Sequence, residues 1–119
     1  MTARAVAGLA IVFVFAPLAI AATPAPARVQ ASAAEFSLEL SRPSIHSGQA
    51  IVELVNYGDD DHDLSLRRLG GTRTYRIGIV HPGRTGQLET RLGAGRFVLW
   101  CTLADHRARG MLATIRVVP

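Results

Sequence analysis

The chain has 119 residues, of which 13 are basic and 9 acidic, with one cysteine and a net charge of +4. This length fits one small domain, and a single cysteine excludes an internal disulfide bond. The modest positive charge is not that of a nucleic-acid-binding protein, so nucleic acid is not among the expected partners.

The first segment predicts export. Residues 1–22 begin with a short basic stretch that contains Arg4, continue with an uncharged apolar run broken by Pro17, and end on small residues. These are the parts of a secretory signal peptide, which a peptidase removes. An apolar run of about 18 residues is also long enough to be retained as a membrane anchor. In both cases we expect the protein in the periplasm or on the extracellular face of the cell membrane.

The rest of the chain predicts a flexible segment followed by an all-β domain. Residues 23–34 are rich in alanine and proline and are predicted to be a flexible N-terminal segment. Residues 35–119 show period-two apolar patterning interrupted by glycine and proline turns. Strands are predicted at 36–40, 50–56, from His62 onward, 72–80, 86–92, 96–102 and 111–118. About seven to eight short strands indicate a Greek-key β-sandwich or partly closed barrel.

The most informative motif lies before the last strand. Cys101, His106 and Met111 are spaced five residues apart, and His62 lies on an earlier predicted strand. One thiolate, two imidazoles and a weak thioether are the donors of a blue-copper electron-transfer centre. Each of these residues alone more often has a structural role, such as filling a core gap. Their combination on an exported β-rich chain favours a copper site.

These motifs, taken together, resemble the cupredoxins, the family of small blue copper proteins with one type 1 copper ion. The residues that carry the likeness are Asn56-Tyr57-Gly58 before His62, Pro82-Gly83, the strand Gly95–Cys101, and the loop with His106 and Met111. The resemblance implies that His62, Cys101 and His106 are the close copper ligands and that Met111 is the axial one.

Two departures from the family pattern concern the surroundings of these ligands. Asp63 stands where many cupredoxins have asparagine, and we expect its carboxylate to accept a hydrogen bond from a backbone N–H or from the Thr102 hydroxyl. The frequent Pro-Gly-His step is replaced by Ala104-Asp105-His106. An anionic side chain therefore lies near the predicted metal, and the loop stiffness and the reduction potential are left open.

The resemblance implies single-electron transfer by Cu(I)/Cu(II) cycling. Four protein ligands around the metal would leave no open position for a substrate, so we expect that the protein is not an enzyme, and we expect a monomer. Its redox partner would be a haem protein, a multicopper enzyme or a membrane oxidase. The predicted docking patch surrounds His106 and consists of Leu103, Ala104 and Leu112, with Arg107 and Arg109 placed to steer an acidic partner. Trp100 is either a second electron exit or part of the sandwich packing.

Other functions are weighed against this one. A copper carrier or storage module would use similar ligands, although an exposed segment rich in methionine and histidine is absent. A Cys101 nucleophile lacks an accompanying oxyanion or orienting group, and zinc would occupy the same donors in a test tube. The run Asp59–Asp61 lacks the spacing of a calcium loop. His46 and His81 are predicted to be surface residues.

Overall fold

The computed structural model describes the whole chain, residues 1–119, and its regular structure consists of nine strands. They are β1 (Ala27–Ala34), β2 (Ser37–Leu40), β3 (Ser44–His46), β4 (Gly48–Asn56), β5 (His62–Arg68), β6 (Thr74–Val80), β7 (Thr85–Leu92), β8 (Gly95–Trp100) and β9 (Leu112–Val118).

The strands form two sheets of a β-sandwich. One sheet has four strands in the order β2-β1-β4-β7, and the other has five in the order β3-β9-β8-β5-β6. Most neighbouring strands are antiparallel, but β1 pairs with β4 and β3 pairs with β9 in parallel. The all-β sandwich predicted from the sequence is confirmed.

The core lies between the sheets because alternate residues of each strand point inward. In β8, Phe97 and Leu99 are 2% and 0% exposed, whereas Val98 and Trp100 are only half-buried. One apolar cluster of 19 buried residues joins both sheets, and it includes Cys101 and Met111. The cysteine and methionine of the predicted site are therefore part of the core.

The largest difference from the sequence-based prediction concerns residues 27–34. These residues, predicted to be flexible, form β1, which pairs with both β2 and β4. Val29, Ala31 and Ala33 alternate with polar residues and are 3%, 0% and 0% exposed. The pattern is weak in the sequence because alanine is a poor strand former and buries little apolar surface. The folded domain therefore begins at Ala27 instead of residue 35.

A smaller difference concerns the stretch between the predicted strands 36–40 and 50–56. Residues 44–46 form the short strand β3, which pairs with the last strand, and its His46 side chain is exposed. Residues 1–26 contribute no strand, and all buried residues lie between Val29 and Val117. No helix of the length and hydrophobicity needed to cross a bilayer is present.

Candidate metal centre

Three buried side chains converge at one end of the sandwich. The Sγ atom of Cys101 lies 4.0 Å from Nδ1 of His62 and 3.5 Å from Nδ1 of His106. All three donor atoms lie within 4.8 Å of one another. His62 and Cys101 are 0% exposed and His106 is 8% exposed. The fold thus brings His62 to the two loop residues that lie about 40 positions later in the sequence.

The spacing of these atoms fits a bound metal ion. Metal bonds of about 2.0 Å to imidazole nitrogen and 2.3 Å to thiolate sulfur, spread in a trigonal plane, separate the two atoms by about 3.7 Å. The two observed separations, 4.0 and 3.5 Å, lie on either side of that value. One sulfur and two imidazole nitrogens are also the close donors of a type 1 copper site. The residues present therefore fit a copper ion.

The loop between β8 and β9 is closed by its own backbone. The N–H of Cys101 donates to the carbonyl of Met111 at 3.3 Å, and the N–H of Met111 donates to the carbonyl of His106 at 3.0 Å. Gly110 has a φ of +127°, and a Cβ there would lie 2.6 Å from the Phe36 carbonyl oxygen. Met111 is 0% exposed. It is the fourth predicted ligand, and its axial role stays a prediction.

Asp63 connects the strand of His62 to the loop of Cys101. One carboxylate oxygen accepts the backbone N–H of Thr102 at 2.6 Å, and the other accepts the hydroxyl of Thr102. From the sequence we expected a backbone N–H or the Thr102 hydroxyl as the donor, and both are present. Since Asp63 follows one candidate ligand and Thr102 follows another, the bonds fix the two ligand-bearing backbones relative to each other.

In the metal-free protein, burial favours the protonated thiol of this cysteine over the thiolate. Its burial raises the pKa of the Cys101 thiol above the ordinary value of 9.0, and the nearby Asp63 charge acts in the same direction. Because the thiolate is the metal-binding form, metal binding must release the thiol proton. Affinity for a metal is therefore expected to rise with pH.

Glu35, which the sequence reasoning missed, contacts a candidate ligand directly. Its Oε1 lies 2.9 Å from Nε2 of His62. A carboxylate only accepts hydrogen bonds, so the Nε2 atom of His62 carries the proton and its Nδ1 lone pair faces Cys101. Such a carboxylate fixes the tautomer and the orientation of a metal-binding imidazole.

The Glu35 carboxylate is itself held by backbone donors. It accepts the N–H of Asp60 at 2.8 Å and the N–H of Asp59 at 3.1 Å. These hydrogen bonds, Asp60 first, lower the pKa of Glu35 from 4.5 to about 2. A Cβ at Gly58 would collide with this carboxylate, so a larger residue there would displace the Glu35 side chain from its present position. Glu35 is therefore an anion over the whole physiological pH range.

Asn56 shapes the turn that supplies these donors. Its buried Nδ2 donates to the carbonyls of Asp60 at 2.7 Å and Val80 at 2.9 Å, and its Oδ1 accepts the N–H of Gly58 at 2.8 Å. The acidic run Asp59–Asp61 is thus a turn whose backbone binds Glu35. His81, outside the centre, is exposed and lies 2.7 Å from Asp61.

The second histidine has different neighbours. The ring of His106 packs against Phe36, with 5.2 Å between the ring centroids, and against His62 at 5.0 Å. Its Nε2 is 3.9 Å from Asp60 Oδ2, too far for a hydrogen bond. Phe36 follows Glu35 directly, so the turn between β1 and β2 contacts both candidate histidine ligands. No local sequence signal marks either residue of this turn.

The two arginines of the predicted docking patch contact different aromatic rings. Leu103 is half-buried, Ala104 is exposed and Leu112 is 47% exposed. The Arg109 guanidinium lies 3.7 Å from the centroid of Phe36, and Arg107 lies 4.9 Å from the centroid of Trp100.

The two arginines of that patch therefore lie against different parts of the molecule. Arg109 also lies 3.9 Å from Asp105, so it stays at the metal centre beside a carboxylate. Arg107 reaches the outer face of the five-stranded sheet. The role of all five residues in docking stays a prediction.

Comparisons with known proteins identify the fold. Neither a protein-family model nor a curated protein sequence matches the chain. Among solved structures, auracyanin from Roseiflexus castenholzii superposes with a TM-score of 0.63 at 17% identity, over 81% of this chain and all of that one. Auracyanin A from Chloroflexus aurantiacus, described as a blue copper protein, gives 0.60 at 12% identity, over 78% and 99%.

A third similar structure is larger than this chain. A multicopper oxidase superposes with a TM-score of 0.59 at 15% identity, over 80% of this chain but only 45% of that one. Identities this low are evidence about fold and not about activity. The comparisons thus agree with the observed strand arrangement: the chain has the cupredoxin fold.

Proposed function

We propose that this protein binds one copper ion as a type 1 centre and passes single electrons between redox partners. The observation that carries the proposal is the convergence of Cys101 Sγ with Nδ1 of His62 and of His106, at 4.0 and 3.5 Å, in a buried site. Copper bound there would supply Cu(I)/Cu(II) one-electron chemistry. Met111 would be its weak axial ligand.

The surrounding residues suit electron transfer because they hold the donors in place. Glu35 fixes the ring of His62, and Asp63 ties its strand to the residue after Cys101. Donors that are held rigidly move little between the two oxidation states, so little reorganisation accompanies each transfer. With three close donors and Met111 around the ion, no position is left open for a substrate, and we propose that the protein is not an enzyme.

The test is a visible absorption spectrum of protein expressed from the full chain, recorded after addition of Cu(II). We expect an intense band near 600 nm, as the family implies, that is lost in Cys101→Ser and kept in the surface control His46→Gln. The coloured protein should also cycle between oxidation states without losing copper to a chelator. Tight Cu(I) binding without colour would instead indicate a copper carrier, and no copper binding would refute the proposal.

We also propose that residues 1–22 direct export and are then removed. The support is the order of a basic start, an apolar run and small residues in this segment. The intact mass of the protein recovered from the periplasm of an expression host would locate the cleavage. Recovery of the uncleaved chain in the membrane fraction would indicate an anchor instead.

A further inference from the structure

The outer face of the five-stranded sheet carries an unusual row of side chains. In β8, Arg96, Val98 and Trp100 point away from the core, because the residues between them are buried. The register places Arg116 of β9 opposite Arg96, and Arg67 of β5 opposite Val98. These residues therefore lie side by side on one surface.

Two more arginines complete this surface. Arg76 of β6 lies opposite Ser65, the residue opposite Trp100, and its guanidinium is 3.4 Å from the Ser65 hydroxyl. Arg107 comes from the loop after β8, and its guanidinium lies 4.9 Å from the centroid of Trp100. We call this surface the arginine face and define it by Arg67, Arg76, Arg96, Arg107 and Arg116, with Val98 and Trp100 at its centre.

None of the five arginines has a carboxylate partner. The ion pairs of the structure that involve arginine engage only Arg28 and Arg109. Among the five strands of this sheet the one acidic residue is Asp63, and Thr102 already donates two hydrogen bonds to it. The arginine face is thus a concentrated positive surface in which all five arginines are exposed.

Its chemistry matches that of protein–protein interfaces. Arginine and tryptophan are enriched at the residues that dominate binding energy. The planar guanidinium group pairs with carboxylates through two parallel hydrogen bonds. A shallow cavity of about 360 Å³ also opens between Arg67, Trp100 and Arg107. An acidic surface loop of a partner would find both ionic partners and an aromatic ring there.

The metal end of the molecule is rich in acidic side chains and has one arginine, Arg109, beside the centre. Six of the nine acidic residues lie in the segments that surround the centre, namely Glu35, Asp59, Asp60, Asp61, Asp63 and Asp105. An acidic protein is repelled by that end and attracted by the arginine face. Trp100 is bonded directly to Cys101, so a partner on this face lies one residue away from the candidate thiolate ligand.

We propose that the arginine face is the docking surface for an acidic protein, the redox partner of this chain. The electron-transfer part of this inference rests on the function proposed above, whereas docking itself does not require copper. The partner presents a cluster of carboxylates to the five arginines and places its contact surface over Trp100. The predicted patch around His106 is then not where the acidic partner is steered.

The first experiment titrates ¹⁵N-labelled protein, expressed from the full chain and free of metal, with poly-L-glutamate as the acidic probe. We expect amide shifts confined to β5, β6, β8 and β9, and we expect binding to weaken strongly at high salt. Shifts centred on the loop around His106 would overturn the proposal. Stronger binding to duplex DNA or to anionic phospholipid vesicles than to poly-L-glutamate would also overturn it.

Two charge-reversal pairs distinguish the effect of where the arginines lie from the effect of the net charge of the protein. Arg67→Glu with Arg116→Glu changes the arginine face, and Arg84→Glu with Arg91→Glu makes the same net change on exposed residues elsewhere. We expect the first pair to weaken poly-L-glutamate binding by roughly tenfold or more, and the control pair by only about twofold. Equal losses would overturn the proposal. Spectral dispersion in the same experiment reports whether each variant is folded.

The redox part has its own test on the copper-loaded protein. Oxidation of the Cu(I) protein by hexacyanoferrate(III), an anionic one-electron oxidant, should slow more in the arginine-face pair than in the control pair. If the two pairs react at equal rates while poly-L-glutamate still binds only to the arginine face, electron exchange at this face is overturned and the docking proposal stands. Absence of the band near 600 nm would refute the proposed copper electron transfer but not the docking, because the titration is carried out without metal.

Discussion

The two candidate histidine ligands occupy contrasting environments. His62 is 0% exposed and its second ring nitrogen is bonded to an anionic carboxylate, Glu35, at 2.9 Å. His106 is 8% exposed and is held by ring packing against Phe36, with no hydrogen bond to the nearest carboxylate. The His62 side of the centre is therefore fixed by hydrogen bonds and the His106 side by packing. The His106 side lies nearer the surface and is therefore more open to exchange of a ligand.

The largest expected effect separates the two sides by chemical rescue. His62→Gly and His106→Gly should each abolish the blue band, but added imidazole should restore it only in His106→Gly. The cavity left by His106 lies near the surface, whereas that of His62 is enclosed and leaves the Glu35 carboxylate without its partner. Visible spectra with and without imidazole measure the difference. Equal rescue of both variants would show that access to the two sides does not differ.

Glu35→Gln tests the hydrogen-bonded side. The variant keeps the shape of the side chain but removes the charge, which weakens the bond to His62 and makes the imidazole less basic. We expect Cu(II) affinity to fall by about 10-fold to 100-fold. We also expect the reduction potential to rise, because the change weakens Cu(II) binding more than Cu(I) binding. Competition titration and voltammetry measure both, with the exposed Glu39→Gln as a control. An unchanged reduction potential would show that Glu35 holds the turn but does not act on the metal through His62.

Phe36→Ala tests the packed side. Loss of the Phe36 ring uncovers His106 and removes the contact between that ring and Arg109. We therefore expect the free energy of unfolding to fall by about 1–2 kcal/mol, less than for a fully buried phenylalanine. Copper removal by a chelator should also become faster. Urea unfolding and chelation kinetics give the two values. Tyr57→Ala, at a ring that is 68% exposed, is the control and should change neither.

The smallest effect is a pH dependence of the metal-free protein. The pKa of Glu35 is lowered from 4.5 to about 2 in the folded state. Its contribution to stability is therefore fully present above pH 4.5 and is lost as the pH falls toward 2. We expect Glu35→Gln to lose less stability than the unchanged protein over this interval. Thermal unfolding at several pH values measures the slopes, and parallel slopes would contradict the assignment.

Part of the centre was predictable because its residues are local. Cys101, His106 and Met111 belong to one short loop between two strands, so they stay close in space in any arrangement of the sheets. The contacts of Glu35 with His62 and of Phe36 with His106 carry no such local signal. They depend on the parallel pairing of β1 with β4, and β1 has a weak pattern built largely on buried alanines.

The sequence by itself determined which residue types could bind a metal and which residues of most strands point inward. The tertiary structure alone decided that Glu35 and Phe36 cover the two histidines, and that Arg107 joins arginines of other strands beside Trp100. The physical reason is that side-chain alternation assigns a residue to one of two faces of its strand. Its neighbours on that face are set by sheet order and register, which arise from packing between distant segments.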